Sequence, residues 1–346
     1  MNVVRFRQFP GGVFALALAV APIAALAQAG AGWSPKGSLP YERAEVAVAT
    51  MNGKIYVISG QSRGVDANKF TQEYDPATGM WRELALMPAV ASHAGAAVLN
   101  GKIYVVGGFV ANVHMGAVNR VFEYDPAADR WRALPPLAGL RGAPGVVALN
   151  GKIHAIGGRD LDRKTVTTHE IYDPVANTWS MAAPLPVARD HLGIAALNGR
   201  IHVFGGRLDA TVDNTTRHDV YDPATNRWSM GAPLLTARSA GVAYVLGDRI
   251  VYAGGECKDP ASSTTFSETE VYDVKTDRWT ALPPLPLGRH AAGGVVVGDL
   301  AYLIGGNNGC GGNNPANDVL TLRLVALAPH AILDRHGIPA ETPDDV

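Results

Sequence analysis

YDPATNRW at residues 221–228 is one of five near-copies of a single phrase. The others are YDPATGMW at 74–81, YDPAADRW at 124–131, YDPVANTW at 172–179 and YDVKTDRW at 272–279. Counting Trp33, all six tryptophans fall at intervals of 48, 50, 48, 49 and 51 residues. Upstream of each phrase, and once more after the last, a second one ends in a glycine pair: NGKIYVISG, NGKIYVVGG, NGKIHAIGG, NGRIHVFGG, GDRIVYAGG and GDLAYLIGG. The first copy carries Ser59 in place of the first glycine. A period near 50 signals repeated supersecondary units rather than one irregular globule.

The copy that runs from 189 to 235 shows what one unit is. HLGIAAL (191–197) suits a buried strand, and Asn198-Gly199 follows as a type I′ hairpin, whose two central residues need positive φ. Residues 201–204 form a second strand, ended by Gly205-Gly206, where glycine permits close backbone approach. After a polar loop, 218–221 is a third strand, and Asp222-Pro223 turns the chain. Trp228 opens a fourth strand that Pro233 ends. Four antiparallel strands per unit, without helical periodicity, predict one blade of a β-propeller.

The glycine pairs, Tyr-Asp-Pro turns and tryptophans at these spacings resemble kelch repeats, and the match covers residue 33 to about 325. The fold class expected is all-β, a six-bladed kelch propeller. Its last unit, which holds Gly305-Gly306 and NDVLTLRLV (317–325), lacks a tryptophan. The lone segment around Trp33 is expected to supply that blade's fourth strand and close the ring, which removes exposed sheet edges.

The chain has 346 residues, 47% hydrophobic, with 39 glycines, 23 prolines and a formal charge of -1. That composition suits a folded, turn-rich domain, and the near-zero charge gives no reason to expect nucleic acid as a partner. Arg5 and Arg7 precede an apolar stretch at 13–26, and Ala25-Leu26-Ala27 offers a small-x-small cleavage site. Residues 1–27 therefore read as a signal peptide, 28–325 as the propeller and 326–346 as a tail. The apolar stretch is short of the roughly 20 residues of a membrane span, so the retained-anchor reading is the weaker one. The mature chain is expected in the periplasm or secreted, monomeric and without an integral membrane segment. Cys257 and Cys310 lie just after the glycine pairs of consecutive repeats and are expected to form a disulfide worth roughly 3–4 kcal/mol. Free thiols are the alternative.

Aligning the repeats on their glycine pairs defines three columns. Sixteen positions before the first glycine stand Arg43, Ala91, Arg141, Arg189, Arg238 and Arg289. Two further on are Glu45, His93, Ala143, His191, Ala240 and Ala291, and directly after the pairs are Gln61, Phe109, Arg159, Arg207, Glu256 and Asn307. Loops that leave alternate strands emerge on one face, so these columns should converge on the channel mouth. Clustered guanidiniums bind planar anions, which makes Arg43, Arg141, Arg159, Arg189, Arg207, Arg238 and Arg289, with Glu256 and Asn307, the candidate ligand-binding set. The resemblance adds that kelch domains for acidic ligands use arginines at the first column. The opposing reading is a consensus arginine that bonds to neighbouring carbonyls.

An acidic glycan or peptide is thus the expected ligand. The alternative is a carbohydrate-active enzyme similar to the kelch-type sialic acid mutarotases, in which Glu256, His191 or His93 would be the acid/base group. The sequence leaves open whether any reaction is catalysed. No cofactor is expected. No metal is expected either, because His93 and His191 belong to different repeats. His114, His169 and His218 show no ligand spacing, and His154 and His202 read as blade residues.

Overall fold

The computed structural model describes residues 32–111, 114–209, 213–312 and 314–323. The expected signal peptide and tail lie outside the described residues. Among the described residues twenty-four strands form six four-stranded antiparallel sheets, each built from consecutive segments except the last. The fourth repeat shows the pattern: Gly193–Leu197 is innermost, followed outward by Arg200–Phe204, His218–Asp222 and Arg227–Met230. In the sixth blade Gly293–Val297, Leu300–Ile304 and Asp318–Arg323 are joined by Trp33–Ser38, which places Trp33 opposite Leu322. The ring closes as expected. Among the described residues no helix is long and apolar enough to cross a membrane.

Each repeated residue has a local cause. The hairpin asparagines and glycines take left-handed φ, as at Asn198 (51°) and Gly199 (74°). Asp222 Oδ1 accepts the Ala224 N–H at 2.9 Å, the aspartate turn that the Tyr-Asp-Pro phrase encodes. Trp228 Nε1 donates to Ala183 O at 2.9 Å, and Trp179 Nε1 donates to Pro135 O at 2.8 Å. Both bonds fasten one blade to its predecessor. The glycine pair is a crossing point: Gly206 N–H donates to Arg238 O at 3.0 Å, and a Cβ on Gly205 would lie 2.5 Å from that same oxygen. Only glycine lets the next blade's arginine segment pass so close.

The fifth blade departs from the pattern. Its second and third strands, Arg249–Asp259 and Thr264–Asp273, run on beyond the glycine pair as a long hairpin. That extension carries Cys257 to Cys310 of the sixth blade, with Cα atoms 4.7 Å apart and the sulfurs bonded.

Candidate functional site

The five arginines of the first column are buried inside the blades. Arg189 donates to Val203 O at 3.1 Å and pairs with Asp219 Oδ2 at 2.8 Å. Arg289 grips Asp318 with two nitrogens, at 2.7 and 3.0 Å. Arg141 and Arg238 pair with Glu170 and Glu270. Arg43 has the amide of Gln72 instead of a carboxylate, and burial draws it down to about 10 despite the attraction of Glu83. A guanidinium paired and hydrogen-bonded in this way holds its own blade together. All five are therefore set apart from the mouth.

The second column forms the mouth. Glu45, His93, Ala143, His191, Ala240 and Ala291 all take left-handed φ, between 48° and 55°. Their backbones link around the axis: Glu45 N–H donates to Ala291 O (2.7 Å), Ala291 N–H to Ala240 O (3.0 Å), and Ala240 N–H to His191 O (2.8 Å). Ala143 N–H donates to His93 O (3.0 Å), and His93 N–H donates to Glu45 O (3.1 Å). A cavity of about 190 Å³ lies along the axis at this ring, lined by Glu45, His93, His191 and small apolar residues.

The residues just before the ring, among them Ser92, Asp190, Ser239 and His290, were not in the aligned columns. They bridge to the column after the glycines, as Asp190 does to Arg207 and His290 to Asn307. Alternation along an extended strand would have turned them away from the mouth. The left-handed residue that follows breaks that alternation, and Asp190 faces the same cluster as His191.

Arg207 is the hub. Fully buried, it donates from Nε to Asp190 Oδ1 (2.9 Å), from Nη1 to Glu256 Oε2 (2.5 Å) and from Nη2 to His114 Nε2 (2.9 Å). Arg159 takes the other oxygen of Asp190 and donates to Asp209 O at 3.0 Å. Two carboxylate–imidazole pairs flank the hub: His191 Nδ1 is 3.0 Å from Asp190 Oδ1, and His93 Nε2 is 3.1 Å from Glu45 Oε1. Asn307 is buried in the same tier, with neither side-chain amide atom hydrogen-bonded.

Burial works against charge here, yet the acids stay ionised. Burial opposes ionisation of Asp190, but His191, Arg207 and Arg159 outweigh it and hold the carboxyl far below the usual range. Glu256 is likewise lowered against burial, by His290, Arg207 and His191. The glutamate at position 45 is lowered against burial mainly by His93. Arg207 is raised, since Glu256 and Asp190 overcome its burial. Burial, then Arg207, pushes His191 down despite Asp190; burial and the neighbouring imidazoles push His114 down. The mouth therefore holds ionised acids and two guanidiniums, with the neutral forms of His114 and His191 favoured.

Six antiparallel blades, glycine-pair crossings and a strand-closed ring define a kelch-type six-bladed propeller with an axial polar site. The sequence profile of the Attractin/LZTR1 beta-propeller family matches residues 55–314, and the chain belongs to that family. Among solved structures 1094 chains match. One is YjhT, at a TM-score of 0.72 and 17% identity over 84% of this chain and 97% of that one, a likeness of fold alone. No curated protein matches.

Proposed function

We propose that this chain is an exported recognition module that binds an acidic ligand, a glycan or a peptide, at the axial mouth. Arg207 and Arg159 supply the guanidiniums, and Asn307 supplies an amide whose donor and acceptor are both free. The observation that carries this reading is the convergence on Arg207 of side chains from the second, fourth and fifth repeats. A ligand carboxylate would replace Glu256 on Arg207 and satisfy Asn307, since a buried amide without partners favours a polar guest. The candidate set is thus narrowed to Arg159, Arg207, Glu256 and Asn307, while Arg43, Arg141, Arg189, Arg238 and Arg289 maintain the blades.

Free sialic acid, with the neutral N-acetylmannosamine as control, tests this by calorimetry alongside an array of acidic glycans. Binding restricted to acidic probes, and tighter in Glu256→Gln, is expected because the competing carboxylate is gone. Equal binding of the neutral sugar, or weaker binding in Glu256→Gln, would count against it.

A second reading is favoured by the two carboxylate–imidazole pairs, which are suited to moving protons at a sugar ring. In that reading the chain is a carbohydrate-active enzyme of the sialic acid mutarotase type, with His191, His93 or Glu256 as the acid/base group. Faster anomeric exchange of sialic acid in saturation-transfer NMR, abolished in His191→Gln, would select it over simple binding.

A further inference from the structure

We propose that His93, His114 and His191 form a divalent transition-metal site at the axial mouth, binding zinc or a similar borderline ion through three imidazoles. All three are buried, and one ring nitrogen of each lies within 4.8 Å of the others. The rings pack edge to face with centroids 5.0 to 5.3 Å apart. Nitrogens bound to one tetrahedral zinc stand about 3.3 Å apart, so closing the site requires somewhat more than about an ångström of movement. His114, which lies outside the ring in the connection between Lys102–Val106 and Val121–Asp125, would make that movement.

Two of the rings have a carboxylate beside one nitrogen. Metal-bound imidazoles characteristically turn their second nitrogen to a carboxylate, which fixes the tautomer. Asp190 stands behind His191 Nδ1 at 3.0 Å and leaves Nε2 for the ion. Glu45 Oε1 lies 3.1 Å from His93 Nε2, which makes no hydrogen bond in this arrangement, and Nδ1 faces Ser92 Oγ at 3.0 Å. Charge agrees with this assignment. Glu45, Asp190 and Glu256 set three negative charges against two positive ones on Arg159 and Arg207, a local excess of one negative charge.

A cationic group already marks the spot. Arg207 Nη2 lies 2.9 Å from His114 Nε2 and beside both nitrogens of His191, 3.2 Å from Nδ1 and 3.4 Å from Nε2. An ion entering there displaces the planar guanidinium as a whole, since Nη2 cannot move while Nε and Nη1 stay on Asp190 and Glu256. Three protein ligands leave one coordination position open, as in sites that bind an exchangeable molecule. This site stands independently of the acidic-ligand reading.

The test uses untagged chain stripped with chelator, titrated with Co2+ by visible absorption and with Zn2+ by calorimetry. One equivalent of Co2+ is expected, with the intense bands of four-coordinate cobalt, displaced by Zn2+. His114→Ala should weaken binding at least about tenfold, whereas Arg207→Met should tighten it. Absence of saturable binding, or a His114→Ala chain that melts like wild type and binds equally well, would overturn the proposal. Should His114→Ala melt early, X-ray absorption of the cobalt-loaded wild type decides. Imidazole scattering supports the site, and a shell without imidazoles refutes it.

Discussion

Arg189 and Arg207 lie in the same repeat and are both fully buried, but they serve different ends. Arg189 finds Val187 O, Val203 O and Asp219 within its own blade. The partners of Arg207 come from the second, fourth and fifth repeats, and one of them, His114, sits on a loop. The first arginine recurs because every blade needs the same brace. The second occurs where unlike side chains from several blades meet, and a repeat consensus does not dictate it. Histidines divide the same way. His154 Nδ1 pairs with His169 Nε2 at 2.9 Å, and His202 Nδ1 pairs with His218 Nε2 at 3.0 Å, inside the third and fourth blades. His93, His114 and His191 gather on the axis instead.

The largest expected effect probes the blade histidines. Burial lowers His154 and His202 to about 4 and His169 to about 3, and it also lowers His218. Unfolded histidine titrates near 6.5, so between about 6.5 and 4 the unfolded chain takes up protons that the native blades refuse. Stability is fully present above that window and falls as pH drops through it. At about 1.4 kcal/mol per unit, the four together should cost several kcal/mol. Urea midpoints at pH 7.5, 6 and 4.5 check this; the axial His114 and His191, also lowered by burial, add to the same fall, and a flat profile would contradict the burial of these histidines.

Next is Arg189→Ala, which leaves the buried Asp219 carboxylate with Arg217 as its one remaining cation and should cost about 3 kcal/mol. Its chemical denaturation curve reads this directly; acidic-ligand affinity should be unaltered at temperatures where the variant is folded. Loss of the Cys257–Cys310 bond, by reduction or by paired alanine substitution, should remove roughly 3–4 kcal/mol. Because that bond clasps the fifth blade to the sixth, melting should show it without disturbing the arginine braces. Smallest is Trp179→Phe, which deletes the bond to Pro135 O and should cost about 1 kcal/mol. A much larger loss would mean that blade-to-blade contacts, rather than each blade's own core, dominate.

The fold was legible because each blade repeats the same local solutions. The hairpin glycines, the aspartate turn and the tryptophan each have a conformational or hydrogen-bonding cause that recurs at fixed spacing. The mouth was only half legible. Glu45, His93 and His191 emerged by aligning repeats, as did Arg159, Arg207, Glu256 and Asn307. Asp190 and His290 did not, because their direction depends on a left-handed residue that an alternating pattern does not foretell. His114 reaches the axis through a loop of its own, where no repeat supplies a register. The arginine column is regular because every blade needs the same brace.

Isothermal titration of sialic acid into wild type and Arg207→Ala at pH 7 tests most directly whether function sits where the blades converge. The expected result is binding that falls at least about tenfold, the cost of losing a charge-assisted pair, in a variant that still melts cooperatively. Undiminished binding by a folded Arg207→Ala chain would contradict it.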